Sequence, residues 1–472
     1  MLKKILIANR GEIAVRIIRA CRELGIPSVA VYSDADRFAL HVKKADEAYG
    51  LGSDPLAGYL NPHQLVNIAV AAGCDGIHPG YGFLSESAEF ASVCESRGVT
   101  FIGPTAEVIS RMGDKTEARS SMIAAGIPVT PGSEGNLIDV EDAVQQADAI
   151  GYPIMLKATS GGGGRGIRRC DSERELRDNY QRVISEATKA FGRAEVFLER
   201  CIVNPRHIEV QILGDQMGNV IHLYERDCSI QRRNQKLIEL APSPQLNDEQ
   251  RNLIGELAVR AAKAVDYTNA GTVEFLLDDK DDFYFMEMNT RVQVEHTITE
   301  EITGVDIVRK QIEIASGLPL GLQQSDIRIN GFAAQFRINA EDPQNNFLPS
   351  FGTISRYYAA GGPGTRTDTA IYSGYTLPPY YDSMCAKLIV WAADWESLLS
   401  RSERVLNDIR LFGIRTTIPY YLNILQHPDF RTTNFNTGFI AANPQLAEYS
   451  LKKTPSQVAT VIAAALAAQQ SW

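Results

Sequence analysis

The opening stretch restricts the architecture more than any other part of the chain. Residues 4–8 are apolar, Ile13, Ile17, Cys21 and Leu24 recur at helical spacing, Gly25-Ile26-Pro27 stops the helix, and Ser28–Tyr32 is apolar again. That order is a strand, a helix and a strand. A similar rhythm follows, with a helix expected over 61–72, a strand end at Gly76–His78 and a short strand at 100–102 before Gly103-Pro104. Alternation of this kind builds a parallel sheet covered by helices, so residues 1–112 are expected to form a parallel α/β domain.

With 472 residues the chain is about three times the commonest domain size, which predicts two to four domains. A composition of 44% hydrophobic and 22% charged residues supplies the apolar surface for large cores and excludes general disorder. After Gly126-Ile127-Pro128 come two apolar stretches, 153–157 and 195–199, separated by a glycine cluster and a polar helical pattern over 172–190. This predicts a small separate domain. Strands at 208–213 and 220–225, a helix over 248–265, a hairpin around 278–282 and a glycine- and tyrosine-rich β region over 331–393 follow. The expected division is 1–112, 113–330 with the small domain at about 130–203 inside it, 331–447, and a tail 448–472. In the tail, Pro455-Ser456 reads as a break and a helix cap, with Val458, Ile462 and Leu466 at helical spacing. It is expected to be a frayed terminal helix or one that docks on a partner chain.

Lys+Arg number 47 against 57 Asp+Glu, a net charge of -10 that argues against nucleic-acid and membrane-surface partners. An anionic ligand then requires a local basic pocket. The seven cysteines are scattered, odd in number and without a C-x-x-C pair, as expected of reduced thiols. The apolar run 461–468 is far shorter than the roughly 20 residues of a membrane span, and the first residues lack the form of a signal peptide. A cytoplasmic location is expected.

The densest functional signal is residues 283–296, FYFMEMNTRVQVEH. Alternate side chains of an extended segment share a face, which groups Phe283, Phe285, Glu287, Asn289, Arg291, Gln293 and Glu295. A merely solvated strand face would carry Lys, Thr and Ser and would not begin with two aromatics. Across the hairpin, Glu274 can approach Glu287, although the loop between them is too long to fix the register. Two carboxylates brought together repel unless a divalent cation joins them, and carboxylates with nucleotide phosphates are how Mg²⁺ is usually held.

The run Gly161 to Gly166 satisfies G-x-G-x-x-G, but no helix opens inside it, so a strand, glycine loop and strand over phosphates is expected rather than a dinucleotide site. Lys157 precedes it, and a plain flexible turn is the competing reading. No Walker motif occurs. The basic run Arg232-Arg233-Asn234-Gln235-Lys236 could be surface charge or, with Arg291 and Arg337, the pocket that an anion needs. Arg337 lies in an otherwise apolar-alternating strand, where a buried arginine requires a partner. His207, Glu209 and Gln211 share one face, and neither the histidines nor the thiols show metal-site spacing.

The segments ILIANRGEIAVRIIRACRELGI, IHPGYGFLSE, MGDKT, KATSGGGGRG, NPRHIEVQIL, ERDCSIQRRNQK, EMNTRVQVEH, FRINAEDP and YYDSM together resemble the biotin carboxylase family, in order and spacing over residues 1 to about 447. The resemblance implies an α/β fold of ATP-grasp type: an N-terminal parallel α/β domain, a small glycine-loop lid and a C-terminal antiparallel-sheet domain. It implies ATP contacts at Lys115, Lys157, Gly163, Gly164, Gly166, Glu199, His207 and Gln231, and Mg²⁺ or Mn²⁺ at Glu274, Glu287 and Asn289. It further implies bicarbonate at Lys236, Arg291, Gln293 and the Val294 backbone, Glu295 as base, and Arg337 facing the ureido oxygen of a carrier-bound biotin. The sequence departs from the family pattern at Asn234, where most relatives carry histidine, and at Thr297, where many carry proline.

Carboxylation of biotin is therefore the expected activity. The competing readings are another ATP-grasp ligase, against which Arg337 and its neighbours through Pro343 stand, and a non-catalytic regulatory subunit, which would lack one of these groups. No Met-Lys-Met segment occurs, so the biotin carrier and the carboxyltransferase are expected on other chains, with a homodimer of this one. Residues 218–223 and 228–231 lean towards separate-subunit pyruvate carboxylases rather than acetyl-CoA carboxylases.

Overall fold

The computed structural model describes residues 1–133, 135–159, 166–191 and 195–449, with helical positions at 459, 460, 462, 463 and 466 of the tail. Gly163 and Gly164 of the glycine loop lie outside the described residues. Near the N-terminus a five-stranded parallel sheet runs in the order Glu47–Gly50, Ser28–Tyr32, Ile5–Ile7, Gly76–His78, Thr100–Phe101. Helix Gly11–Glu23 buries Ile13, Ala14, Ile17, Ile18 and Cys21 against it, and also buries Glu12 and Arg16. Those two charges face other parts of the molecule. Edge strand Glu47–Gly50 has mostly exposed residues, and its sequence EAYG carries no apolar alternation that would reveal it.

The small domain has its own core, in which Leu137, Ala143 and Ala147 pack with Ile154, Leu156, Tyr180, Val183, Val196 and Leu198. Its three strands run Ile167–Cys170, Ile154–Ala158, Val196–Arg200, backed by helices Val140–Ile150 and Glu173–Phe191. The strands flanking the glycine loop pair antiparallel, with Lys157 opposite Ile167.

Everything else hangs on one eight-stranded antiparallel sheet. Its order is Phe283–Asn289, Asn269–Leu277, Arg206–Gly214, Val220–Arg232, Gln235–Ala241, Phe332–Asn339, Met384–Ala392, Thr365–Thr369. The sheet passes through position 330 without a break. Helix Asp248–Lys263, which opens with a reciprocal cap between Asn247 and Gln250, packs Ile254, Leu257 and Ala258 onto Ile208, Val210, Ile212, Val273 and Phe275. Alternation then sends His207, Glu209, Gln211, Thr272 and Glu274 to the opposite face. In strand Phe332–Asn339 the same arithmetic buries Phe336 and Ile338 against Leu398, Val405, Leu406 and Tyr421, leaving Gln335, Arg337 and Asn339 on the polar side.

Candidate active site

The floor of the site is the polar face of that sheet. Register places Glu274 opposite Glu287 on one side and opposite Glu209 on the other, while Thr272 faces Asn289. The alternation expected along 283–295 holds only in part. Phe285 pairs with Phe275 and Glu287 with Glu274, so Met286 has no opposite residue and forms a β-bulge. The bulge resets the pleat. Phe283, Phe285 and Met288 therefore all enter the core with Phe275, and Glu287 and Asn289 turn to the site. The strand also ends at Asn289. Arg291, Gln293 and Val294 lie on the following loop, and Glu295 immediately precedes helix His296–Thr303.

Lys236 stands at the centre. Its ammonium donates to Glu209 at 2.5 Å, Glu295 at 2.7 Å and Glu274 at 3.1 Å. Burial weakens the ammonium, but these three carboxylates more than reverse that and hold Lys236 well above its ordinary pKa. Burial pushes the Glu274 carboxyl up, yet Lys236 and His207, whose Nε2 lies 2.7 Å from Glu274, keep it well below the usual range. Glu295 is lowered as well, since Lys236, Arg337 and Arg226 outweigh its burial. Glu287 goes the other way. Burial first, then the facing charge of Glu274, raise its carboxyl, with Lys115 offsetting part.

Arg337 finds the partner its burial demands, and finds two. Its Nε donates to Glu239 at 2.5 Å and its Nη2 to Glu295 at 3.1 Å. Thr417 and Tyr421 both donate to the Arg337 carbonyl, which fixes the strand at that point. Arg291 donates to Glu86 at 2.9 Å and to the Asn289 side-chain oxygen at 2.9 Å. Gln293 donates to Glu274 at 2.6 Å, as Asn289 does at 2.8 Å. The Val294 carbonyl accepts from Lys387, a fully buried ammonium that also meets Glu12 at 3.0 Å.

The basic run does not act as one cluster. Arg233 and Asn234 occupy the hairpin turn with φ of 51° and 63°, as a two-residue turn matched to the strand twist requires, and asparagine tolerates that left-handed region better than most residues. Arg232 lies over the Phe347 ring and bonds Asn346. Only Lys236 enters the site, with Gln231 paired to it in register.

Two candidates sit apart, in the small domain: Lys157 pairs with Glu199, which also meets Arg119 at 3.4 Å. Gly166 ends the glycine loop with φ of 70° beside Ala158. Lys115 opens a helix whose first amides are capped by Asp114.

Sequence reasoning passed over Arg226 and Glu239. Arg226 is fully buried and donates to Glu209, Gln211, Thr272, Gln293 and Thr299. It thus ties two strands, the site loop and the covering helix together. Glu239 is a lone acid in the apolar run Leu237-Ile238-Glu239-Leu240-Ala241, and that isolation is the signal that could have found it.

Could these residues hold a divalent ion? The closest groupings of ligand atoms among the described residues, His207 with Glu209 and Glu274, and Glu209 with Cys228 and Glu295, have the Lys236 ammonium bonded to their carboxylates. The pair Glu274 and Glu287 keeps the Lys236 contact of Glu274 but adds Glu287, a carboxylate outside the three that Lys236 bonds. Its two carboxylates face each other, and the second is raised by the charge of the first, so a divalent cation relieves a repulsion already present. With Asn289 beside them, an all-oxygen donor set suits Mg²⁺ or Mn²⁺. The rest of the site sets the Lys236 ammonium and the Arg337 guanidinium on one carboxylate, Glu295, which they hold ionised, with Arg291 on the loop that leads to it.

Residues 1–109 match the family model "Biotin carboxylase, N-terminal domain", 114–323 the "Carbamoyl-phosphate synthase L chain, ATP binding domain", and 335–442 the "Biotin carboxylase C-terminal domain". The chain is 53% identical over 467 residues to the 2-oxoglutarate carboxylase small subunit of Hydrogenobacter thermophilus, covering 99% of each chain. It is 54% identical to biotin carboxylase 1 of Bacillus subtilis, over 93% of this chain and 98% of that one. Among solved structures, the dimeric biotin carboxylase domain of the Hydrogenobacter thermophilus enzyme, in complex with MgADP, ADP and bicarbonate, superposes with a TM-score of 0.94 at 55% identity. That likeness covers 96% of this chain and 100% of that one.

Proposed function

The chain belongs to the biotin carboxylase family, and from that premise we propose how its residues divide the ATP- and bicarbonate-dependent carboxylation of biotin. Lys236, Arg291, Gln293 and the Val294 backbone bind bicarbonate. The incoming anion competes with the site's own carboxylates for Lys236 and Arg291, which loosens Glu295 from its ammonium and lets it take the bicarbonate proton. The resulting oxyanion attacks the γ-phosphorus of ATP, giving carboxyphosphate and ADP. Positioning and electrostatics supply most of the acceleration in such a transfer.

Carboxyphosphate breaks into CO₂ and phosphate, and the phosphate takes the N1 proton of biotin. Arg337 then stabilises the ureido enolate while N1 attacks CO₂. Glu274, Glu287 and Asn289 hold Mg²⁺ or Mn²⁺, which supplies charge neutralisation at the nucleotide phosphates. Lys115, Lys157, Glu199, His207, Gln231 and the glycines Gly163, Gly164 and Gly166 make the nucleotide site. The small domain at about 130–203 closes over it as a lid, because carboxyphosphate is lost to water in an open site.

The observation that carries this division is the position of Glu295, bonded at once to Lys236 and to Arg337, so that base, bicarbonate cation and biotin cation are contiguous. We take the biotin carrier and the carboxyltransferase to be separate chains, the subunit to be a homodimer, and its location to be the cytoplasm. For the final acceptor we choose a 2-oxo acid, because the likeness to a 2-oxoglutarate carboxylase small subunit runs the length of both chains; identification of the transferase that co-purifies tests it. The protein should hydrolyse ATP with bicarbonate and Mg²⁺ and carboxylate free biotin. ATP turnover indifferent to bicarbonate, or equal with a panel of other acids, refutes the reading.

A further inference from the structure

The two groups assigned to the two halves of the reaction are joined by a closed ring of hydrogen bonds. Glu295 accepts from Arg337 Nη2, and Arg337 Nε donates to one oxygen of Glu239. The other oxygen of Glu239 accepts from Gln335 Nε2 at 3.1 Å, and the Gln335 carbonyl oxygen accepts from the Thr297 hydroxyl. Thr297 lies two residues after Glu295, in the first turn of helix His296–Thr303, and so closes the ring through the backbone. Thr297, Gln335 and Glu239 are each fully buried, and Gln335 sits directly opposite Glu239 in the strand register.

Direction matters around this ring. A carboxylate only accepts, so the Gln335 amide must turn its NH₂ towards Glu239 and its carbonyl oxygen towards the helix. In that orientation the oxygen needs a donor, and none but a hydroxyl can serve from the Thr297 position. Without the hydroxyl that oxygen is left buried and unsatisfied, and the amide relieves the penalty only by shifting or turning, either of which weakens its hydrogen bond to Glu239, the group that holds Arg337.

We propose that Thr297 is a positioning residue for the biotin half of the reaction, which through Gln335 and Glu239 holds the Arg337 guanidinium in register with Glu295. The proposal rests on the function assigned above, and Thr297 itself touches no reactant. Its effect falls on Arg337, so it is confined to the step at the ureido oxygen, whereas Lys236 and Glu209 keep Glu295 and the bicarbonate pocket in place independently.

The test is Thr297→Val, which keeps the β-branched shape and removes the hydroxyl, with Thr297→Ser as the conservative rescue. The full-length protein is assayed for bicarbonate-dependent ATP hydrolysis without biotin and for carboxylation of free biotin. Thr297→Val should lower kcat for biotin carboxylation about 5- to 20-fold and change the biotin-free ATPase less than twofold, and Thr297→Ser should restore carboxylation. Gln335→Leu should reproduce the loss, and the double variant should lose little more than either single one, because both break the same ring. Equal loss of both activities, or additive losses in the double variant, overturns the proposal. So does undiminished carboxylation in Thr297→Val. Absence of bicarbonate-dependent ATPase in the unmodified protein would instead overturn the function reading itself.

Discussion

Arg337→Ala should injure the protein in two separable ways. The side chain is 20% exposed, but its partner Glu239 is fully buried and, once Arg337 is gone, keeps only the Gln335 N–H. Burial already raises the Glu239 carboxyl, with Arg337 offsetting part of the rise. Breaking a buried pair by removing one member costs about 3–5 kcal/mol. Water entering the vacated volume reduces that, and so does protonation of Glu239, whose carboxyl is pushed up further once its hydrogen-bonded guanidinium is gone. A carboxyl with a folded pKa above its unfolded value binds its proton more tightly in the folded state, so stability is present at low pH and lost as pH rises through that window. The slope is at most about 1.4 kcal/mol per pH unit. Denaturant unfolding of Arg337→Ala relative to the parent should therefore show more destabilisation at pH 8 than at pH 6, by less than about 3 kcal/mol at that slope. The double variant Arg337→Ala/Glu239→Gln should lose that pH dependence. Biotin carboxylation should fall by roughly 10²–10³, as when one oxyanion donor is removed. Bicarbonate-dependent ATPase should survive, because Lys236 at 2.7 Å still keeps Glu295 ionised. A pH-independent stability loss, or parallel loss of both activities, would refute the reasoning.

Glu295→Gln should lower both bicarbonate-dependent ATPase and biotin carboxylation by about 10²–10⁴, the usual contribution of a positioned base; steady-state kinetics of the two reactions checks it. Glu287→Gln should leave the metal-free protein as stable as the parent or more so, since it relieves the repulsion with Glu274, and should raise the Mg²⁺ concentration needed for half-maximal ATPase at least tenfold. Lys236→Met strips Glu209, Glu274 and Glu295 of a shared cation, and should raise KM for bicarbonate while lowering the unfolding free energy by about 3–5 kcal/mol. Hydrogen exchange at strands Ile154–Ala158 and Ile167–Cys170 should slow when MgADP is added, and equal protection with and without it would count against lid closure.

The local elements could be read from sequence because their causes are local. Strand Ser28–Tyr32, strand Gly76–His78 and the polar face of His207, Glu209 and Gln211 follow from apolar periodicity and glycine stops within a few residues. The site residues could be read too, but partly for a reason the structure changes. Alternation from Phe283 grouped the phenylalanines with Glu287, whereas the bulge at Met286 separates them, and bulges arise from the pairing partner rather than from the strand's own pattern. Whether Glu274 meets Glu287 could not be decided from the loop between them, and the hydrogen-bonded ladder of the two strands, bulged at Met286, settles the pairing. Strands from either side of the boundary expected at 330 share one hydrogen-bonded sheet, in which Phe332–Asn339 pairs with Gln235–Ala241. That pairing is what brings Arg337 to Glu239 and Glu295. The roles of Arg226, Glu239 and Thr297 lay beyond the sequence for the same reason, even though Glu239 stands out as a lone acid and Thr297 as a departure from the family pattern: what a buried polar group does depends on its partners, and theirs lie between 15 and 98 residues away along the chain.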